Sequence, residues 1–194
     1  MIKYPTTKKT YRKPRINQSN RGMGLEKLID ETNAYYIEHG KALIHKKPTP
    51  VQIVNVDYPR REMAKITEAY FRKPSTTDYN GVYKGLYIDF DVKETKHKTS
   101  YALKNIHDHQ IRHLRGVKAH GGVAFILLKV ETLNTVFLLP FERIETYLKR
   151  AEKGRKSMTI AEIEKEGYPI QESVSPRLDY LSAVDRYLKD MNKR

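Results

Sequence analysis

The stretch Asp78-Tyr79-Asn80-Gly81-Val82-Tyr83-Lys84-Gly85-Leu86-Tyr87-Ile88-Asp89-Phe90-Asp91-Val92-Lys93-Glu94 leaves the chain few choices of local fold. Two short apolar and aromatic runs flank Lys84-Gly85, and glycine reaches the positive φ that a tight turn needs, so the stretch reads as a hairpin. In its second strand Leu86, Ile88, Phe90 and Val92 fall on one face, and Tyr87, Asp89, Asp91 and Lys93 on the other. An acid and a lysine therefore stand two residues apart on one side, roughly 7 Å along the strand. Asp78, on the partner strand or just before it, is brought beside Asp91 by the same hairpin.

Two carboxylates and an amine are the inventory of a Mg²⁺-dependent phosphodiesterase. Mg²⁺ takes hard oxygen ligands, one or two carboxylates with water and substrate phosphate completing the octahedron. A protonated lysine cannot ligate, but it can orient the attacking water or stabilise charge on the phosphorane. The spacing alone equally fits a charged outer strand face on which Lys93 pairs with a neighbouring acid, because D-x-K is a short and common tripeptide.

A chain of 194 residues suits one full hydrophobic core with appendages rather than two domains. Without cysteine it can build neither a disulfide framework nor a cysteine-based zinc site. Its longest apolar runs, Val123 to Leu128 and Val136 to Leu139, are strand-sized, and no apolar segment opens the chain, so a cytoplasmic protein with no membrane role is expected. The formal net charge is +14, and Lys3, Lys8, Lys9, Arg12, Lys13, Arg15 and Arg21 carry half of it in residues 1–22, which contain no acid. Such a tail is expected to be disordered alone and drawn to polyanions, nucleic acid first.

A helix is expected over about 24–38, with Leu25, Leu28, Ile29, Thr32 and Tyr36 at helical spacing and Gly40 as its stop. Glu26 beside that stripe reads either as a metal carboxylate or, more ordinarily, as a helix-start acid. Strands follow at Ala42 to His45 and Val51 to Val56, joined by a proline-restricted turn. Residues 57–75 interleave basic and aromatic side chains, the mix that stacks on unpaired bases while meeting phosphates; a long connector packed on the core by Tyr70 and Phe71 is the other reading. Beyond the hairpin a helix over about 104–118 turns Leu103, Ile106, Gln110, Leu114 and Val117 inward. Gln110 interrupts that apolar stripe and needs a polar partner, for which the Asp78/Asp91 pair is the nearest candidate. His107, His109 and His113 scatter around the helix and read as solvated or phosphate-contacting groups rather than metal ligands. Strands at Val123 to Val130 and Thr135 to Leu139, a helix to about Arg150, a short helix at Ile160 to Lys165 and a last helix at Tyr180 to Met191 complete an α/β chain: a mixed central sheet flanked by helices, of the restriction-endonuclease-like kind.

At Ile44 to Val54, Ala64 to Phe71, Pro74 to Gly85 and Lys93-Glu94-Thr95 the residues resemble the RecU Holliday junction resolvases of low-GC Gram-positive bacteria, over nearly the whole chain from Asn20 to Leu188. The resemblance implies a homodimer that binds four-way DNA junctions and makes paired nicks in strands of like polarity. It implies a nuclease domain over 23–194, with 57–75 as a protruding stalk and 1–22 as a flexible tail. By motif position Thr76, Asp78, Asp91 and Gln110 form or support the Mg²⁺ site, and Lys93 stabilises the transition state or positions the water. Arg61, Tyr70, Phe71, Arg72 and Lys73 become junction contacts on the stalk. The tail and Arg21 match a region implied to help junction binding and the interplay with a RecA-type recombinase. Family members usually carry Glu where this chain has Asp91, which withdraws the carboxylate by about 1.5 Å. Activity is expected to survive, with Mn²⁺ serving better than Mg²⁺. The rival readings are a nuclease of the same fold acting on ordinary duplex or damaged DNA, and a non-catalytic DNA-binding protein on the same scaffold.

Overall fold

The computed structural model describes residues 24–72 and 75–193. Its centre is a six-stranded sheet in the order β1-β4-β5-β7-β8-β10, built from β1 (Leu43–Lys46), β4 (Tyr79–Tyr83), β5 (Leu86–Thr95), β7 (Val123–Val130), β8 (Thr135–Pro140) and β10 (Tyr168–Ile170). Only β5 and β7 run parallel; the other neighbours are antiparallel. The expected mixed sheet flanked by helices is therefore present.

The hairpin forms as its residues dictate. Lys84 and Gly85 both take positive φ (50° and 78°), the twist-matched geometry of a two-residue turn. This sets Tyr79 opposite Phe90 and Val82 opposite Tyr87. Because successive side chains alternate, β5 and β7 send Ile88, Phe90, Phe125 and Leu127 into a core with α1 (Leu25–Glu38) and α5 (Tyr180–Met191). Phe90 stacks between Tyr79 and Phe125 there, with centroids 5.0 and 4.8 Å away. On the other face Ala124, Ile126 and Leu128 join Leu114 of α2 (Asp108–Ala119), Phe141 and Ile144 of α3 (Phe141–Lys153), and Ile163 of α4 (Ile160–Glu166). Glu94 points to the α1 side, where its Oε1 accepts from Leu25 N at 2.5 Å, a carboxylate at the positive end of the helix.

Several elements depart from expectation. The helix expected from 104 begins at Asp108, because Gln110 Oε1 accepts from His107 N at 3.0 Å and closes the helix start there. Leu103 and Ile106 still reach the core, from a 3-10 turn and the link after it. Strand β2 (Val51–Asp57) does not join the central sheet. It pairs with β3 (Lys65–Phe71) in a separate antiparallel ribbon, capped by a 3-10 turn at Arg61–Met63. The ribbon begins at Val51 and ends at Phe71. Its physical basis is exposure on both faces: every residue of β2 is exposed, so no core face recruits it to the sheet. Helix α3 runs on to Lys153, and two short strands not foreseen, β6 (Ser100–Ala102) and β9 (Ser157–Thr159), pair with each other.

Candidate active site

The two acids in the polar row of β5 do not face solvent. Asp89 and Asp91 are both fully buried, covered by α2. A buried charge needs partners, and each carboxylate has found a set of them. Asp91 Oδ1 accepts from Gln110 Nε2 at 2.6 Å, while the Lys93 ammonium lies 2.5 Å from Asp91 Oδ2. That second oxygen accepts no hydrogen bond of proper geometry, although it is wholly shielded from solvent. Asp78 enters from the residue preceding β4, half-buried, and its Oδ2 accepts from Val92 N at 3.3 Å. Asp78, Asp91 and Lys93 are therefore brought together, with Gln110 as the polar partner that the inward stripe of α2 required.

Electrostatics follow from this crowding. Burial pushes the Asp91 carboxyl up to about 7; Lys93 opposes the rise and the charge of Asp78 adds to it. Tyr101, also buried, leaves its hydroxyl without a hydrogen-bond partner and feels the charge of Asp91. Two facing carboxylates, one holding a buried oxygen with no hydrogen bond, fit a hard divalent cation. Among the described residues no group of three or more His, Cys, Asp or Glu side chains is placed to hold a metal. A cation here would rest on two carboxylates with neutral oxygens and water, the donor set that suits Mg²⁺.

The remaining expected residues separate. Thr76 is half-buried in the segment leading to Asp78, its hydroxyl donating to Thr77 O at 3.3 Å. Gln110 has its oxygen committed to the start of α2 and its nitrogen to Asp91, which makes it a holder of the carboxylate. Glu26 is exposed and accepts from Lys46 Nζ at 2.6 Å. Tyr70 and Phe71 are 61% and 84% exposed on the ribbon, and Arg72 is exposed beside Gln52. Arg21, Lys73, the Arg61 side chain and the basic tail lie outside what is described.

The feature that sequence reasoning passed over is Asp89. One of its oxygens accepts from Thr77 Oγ1, and the other is approached by Lys47 Nζ at 2.7 Å, Tyr87 OH at 2.8 Å and His113 Nε2 at 2.9 Å. His113 is thus a partner of a buried acid rather than a solvated group. The available signal was the placement of Asp89 in the Asp91 and Lys93 row; Lys47 and His113, distant in sequence, left none.

Among the described residues no helix is long and apolar enough to cross a membrane. Residues 20–186 match the family model described as RecU: Recombination protein U. Two curated relatives from Staphylococcus aureus, strains MRSA252 and JH9, are each named Holliday junction resolvase RecU. Each is 53% identical over 184 residues, which span 94% of this chain and 88% of the relative. A solved structure of Hjc, a Holliday junction resolvase from Archaeoglobus fulgidus, aligns with a TM-score of 0.41 and 11% identity over 73% of this chain and 94% of that one. With both the family model and the close relatives spanning most of its length, the chain belongs to the RecU, Recombination protein U, family.

Proposed function

We propose that this protein is a divalent-metal-dependent endonuclease that resolves four-way DNA junctions by paired symmetric nicks, in homologous recombination and DNA repair. The observation that carries the reading is the placement of Lys93 2.5 Å from Asp91 across the hairpin from Asp78, in a family whose relatives are named junction resolvases.

In this reading Asp78 and Asp91 hold Mg²⁺ or Mn²⁺, Gln110 fixes the rotamer of Asp91, and Thr76 supports the shell from the segment before Asp78. The bound cation would polarise the scissile phosphate and offset the charge that develops on it. Lys93, beside Asp91, orients the attacking water and stabilises negative charge on the phosphorane. A bound cation would add to Lys93 in favouring the ionised form of Asp91. The products carry 5′-phosphate and 3′-hydroxyl ends, and no covalent enzyme intermediate is required.

The ribbon β2–β3 supports the junction part of the reading. Val51, Ile53 and Phe71 on one face of the ribbon, and Ile66 and Tyr70 on the other, are all exposed among the described residues. Aromatic faces beside basic groups stack on unpaired bases, which the open centre of a junction offers. A two-fold homodimer would present two such sites to a substrate with its own two-fold axis. Arg21, Arg61, Arg72, Lys73 and the basic tail supply phosphate contacts in this scheme, in a DNA-associated cytoplasmic protein whose partners would include a RecA-type recombinase and the branch-migration machinery.

The test is cleavage of a labelled four-way junction and its matching linear duplex, with Mg²⁺ and with EDTA, for the wild type and Asp78→Asn. Symmetric metal-dependent nicks in the junction alone, lost in the variant, are expected. Tight junction binding without nicks would replace the reading with a non-catalytic scaffold, and equal cutting of both substrates with a general duplex nuclease.

A further inference from the structure

We propose that Asp89 is a positioning residue that sets the metal pocket before any cation arrives. The inference rests on the metal-nuclease reading above and deepens it. Three separate pieces of chain converge on this one buried carboxylate: Thr77 from the segment carrying Asp78, His113 from the helix carrying Gln110, and Lys47 from the root of the ribbon. Each is also tied to the site by a second bond. Lys47 N donates to Asp78 O at 2.7 Å, and Lys47 Nζ reaches Thr77 Oγ1 at 2.9 Å, so the incoming root of the ribbon is fastened directly to the Asp78 segment. Helix α2 meets β5 at two points, Gln110 on Asp91 and His113 on Asp89, one helical turn and one strand repeat apart.

A single contact at Asp91 would leave the Gln110 turn of α2 held to β5 at one point, and without Thr77 on Asp89 the Asp78 segment would be held only through Lys47 N and Val92 N. With both anchored on Asp89, the distance between the two carboxylates is set by the protein. Asp89 itself is no ligand in this arrangement, because hydrogen bonds from Thr77, Lys47, Tyr87 and His113 occupy both of its oxygens. Outer groups of this kind raise metal affinity by orienting the inner ones.

The experiment is calorimetric titration of the full chain with Mn²⁺ in the absence of DNA, beside thermal melts. Asp78→Asn identifies the heat that belongs to the site. The wild type is expected to bind one Asp78-dependent ion per chain, and Asp89→Asn to bind it about tenfold to a hundredfold more weakly. His113, whose side chain is 24% exposed, provides the second arm should Asp89→Asn fail to fold. His113→Ala should weaken Mn²⁺ binding, and His113→Gln, which keeps a donor near the Nε2 position, should restore most of it. Unchanged affinity in a folded Asp89→Asn, or in His113→Ala, would overturn the proposal. So would a stoichiometry falling from two ions to one in Asp89→Asn, which would make Asp89 a ligand. Absence of any Asp78-dependent binding in the wild type would instead remove the metal reading on which the proposal stands.

Discussion

Asp91→Asn separates what the site does for function from what it does to stability. Asp91 is fully buried, and its carboxyl is raised from an ordinary 3.8 to about 7, with desolvation the largest cause. Between those two values the folded chain holds a proton that the unfolded chain has released, so stability declines as pH rises through this window and levels off above it. At about 1.36 kcal/mol per unit, the ionised buried acid costs the metal-free protein at most about 4 kcal/mol above neutrality. Asparagine keeps an oxygen for Gln110 Nε2, but its buried amide NH₂ then faces the Lys93 ammonium, donor against donor, which reduces the expected gain to about 2 kcal/mol. For a chain of this size that corresponds to a rise in Tm of about 4–8 °C. The assay is a thermal melt in EDTA at about pH 8 and again at about pH 3, below both values, where the advantage should vanish because both states of the wild type are then largely protonated. Saturating Mn²⁺ should raise the wild-type melt and leave the variant unmoved, while junction cleavage by the variant is lost. A variant no more stable than the wild type at about pH 8 would refute the claim that the site carries a buried charge awaiting a cation.

Gly81→Ala should loosen the edge of the sheet: a Cβ there would lie 2.0 Å from Leu43 O and 2.6 Å from Ile44 Cα, both backbone atoms, so β1 must move. A loss of about 2–3 kcal/mol is expected in urea denaturation, and an unchanged midpoint would contradict the packing described. Tyr70→Ala and Phe71→Ala alter side chains that are 61% and 84% exposed, so melts should shift by no more than about 0.5 kcal/mol. Junction affinity at fixed salt should fall by about 1–3 kcal/mol for each ring that stacks on a base, and full retention by both variants would take the ribbon out of base contact. The shorter Asp91 side chain should favour Mn²⁺, which tolerates a less regular shell; rates with Mg²⁺ that equal or exceed those with Mn²⁺ at matched concentrations would count against that.

How much of this could be seen in the residues alone depends on the range of the interaction concerned. Strict alternation in Leu86 to Lys93 defined both faces of β5, Lys84-Gly85 its turn, and apolar spacing the last helix at Tyr180–Met191, because backbone sterics and side-chain periodicity act between near neighbours. The same pattern put Asp78, Asp91 and Lys93 together on the hairpin and marked Gln110 as an interruption in an apolar stripe that had to find a polar partner, and the resemblance then implied their roles and added Thr76. Alternation says which face a side chain takes but not what covers that face. Asp89 therefore read as an outer charge until α2 was laid over it and His113 and Lys47 arrived from 24 and 42 residues away. For the same reason Val51 to Val56 read simply as a strand following the proline-restricted turn. Only the exposure of both its faces among the described residues, a property of the assembled chain, turned it into a ribbon whose root is tied to the acids of the site.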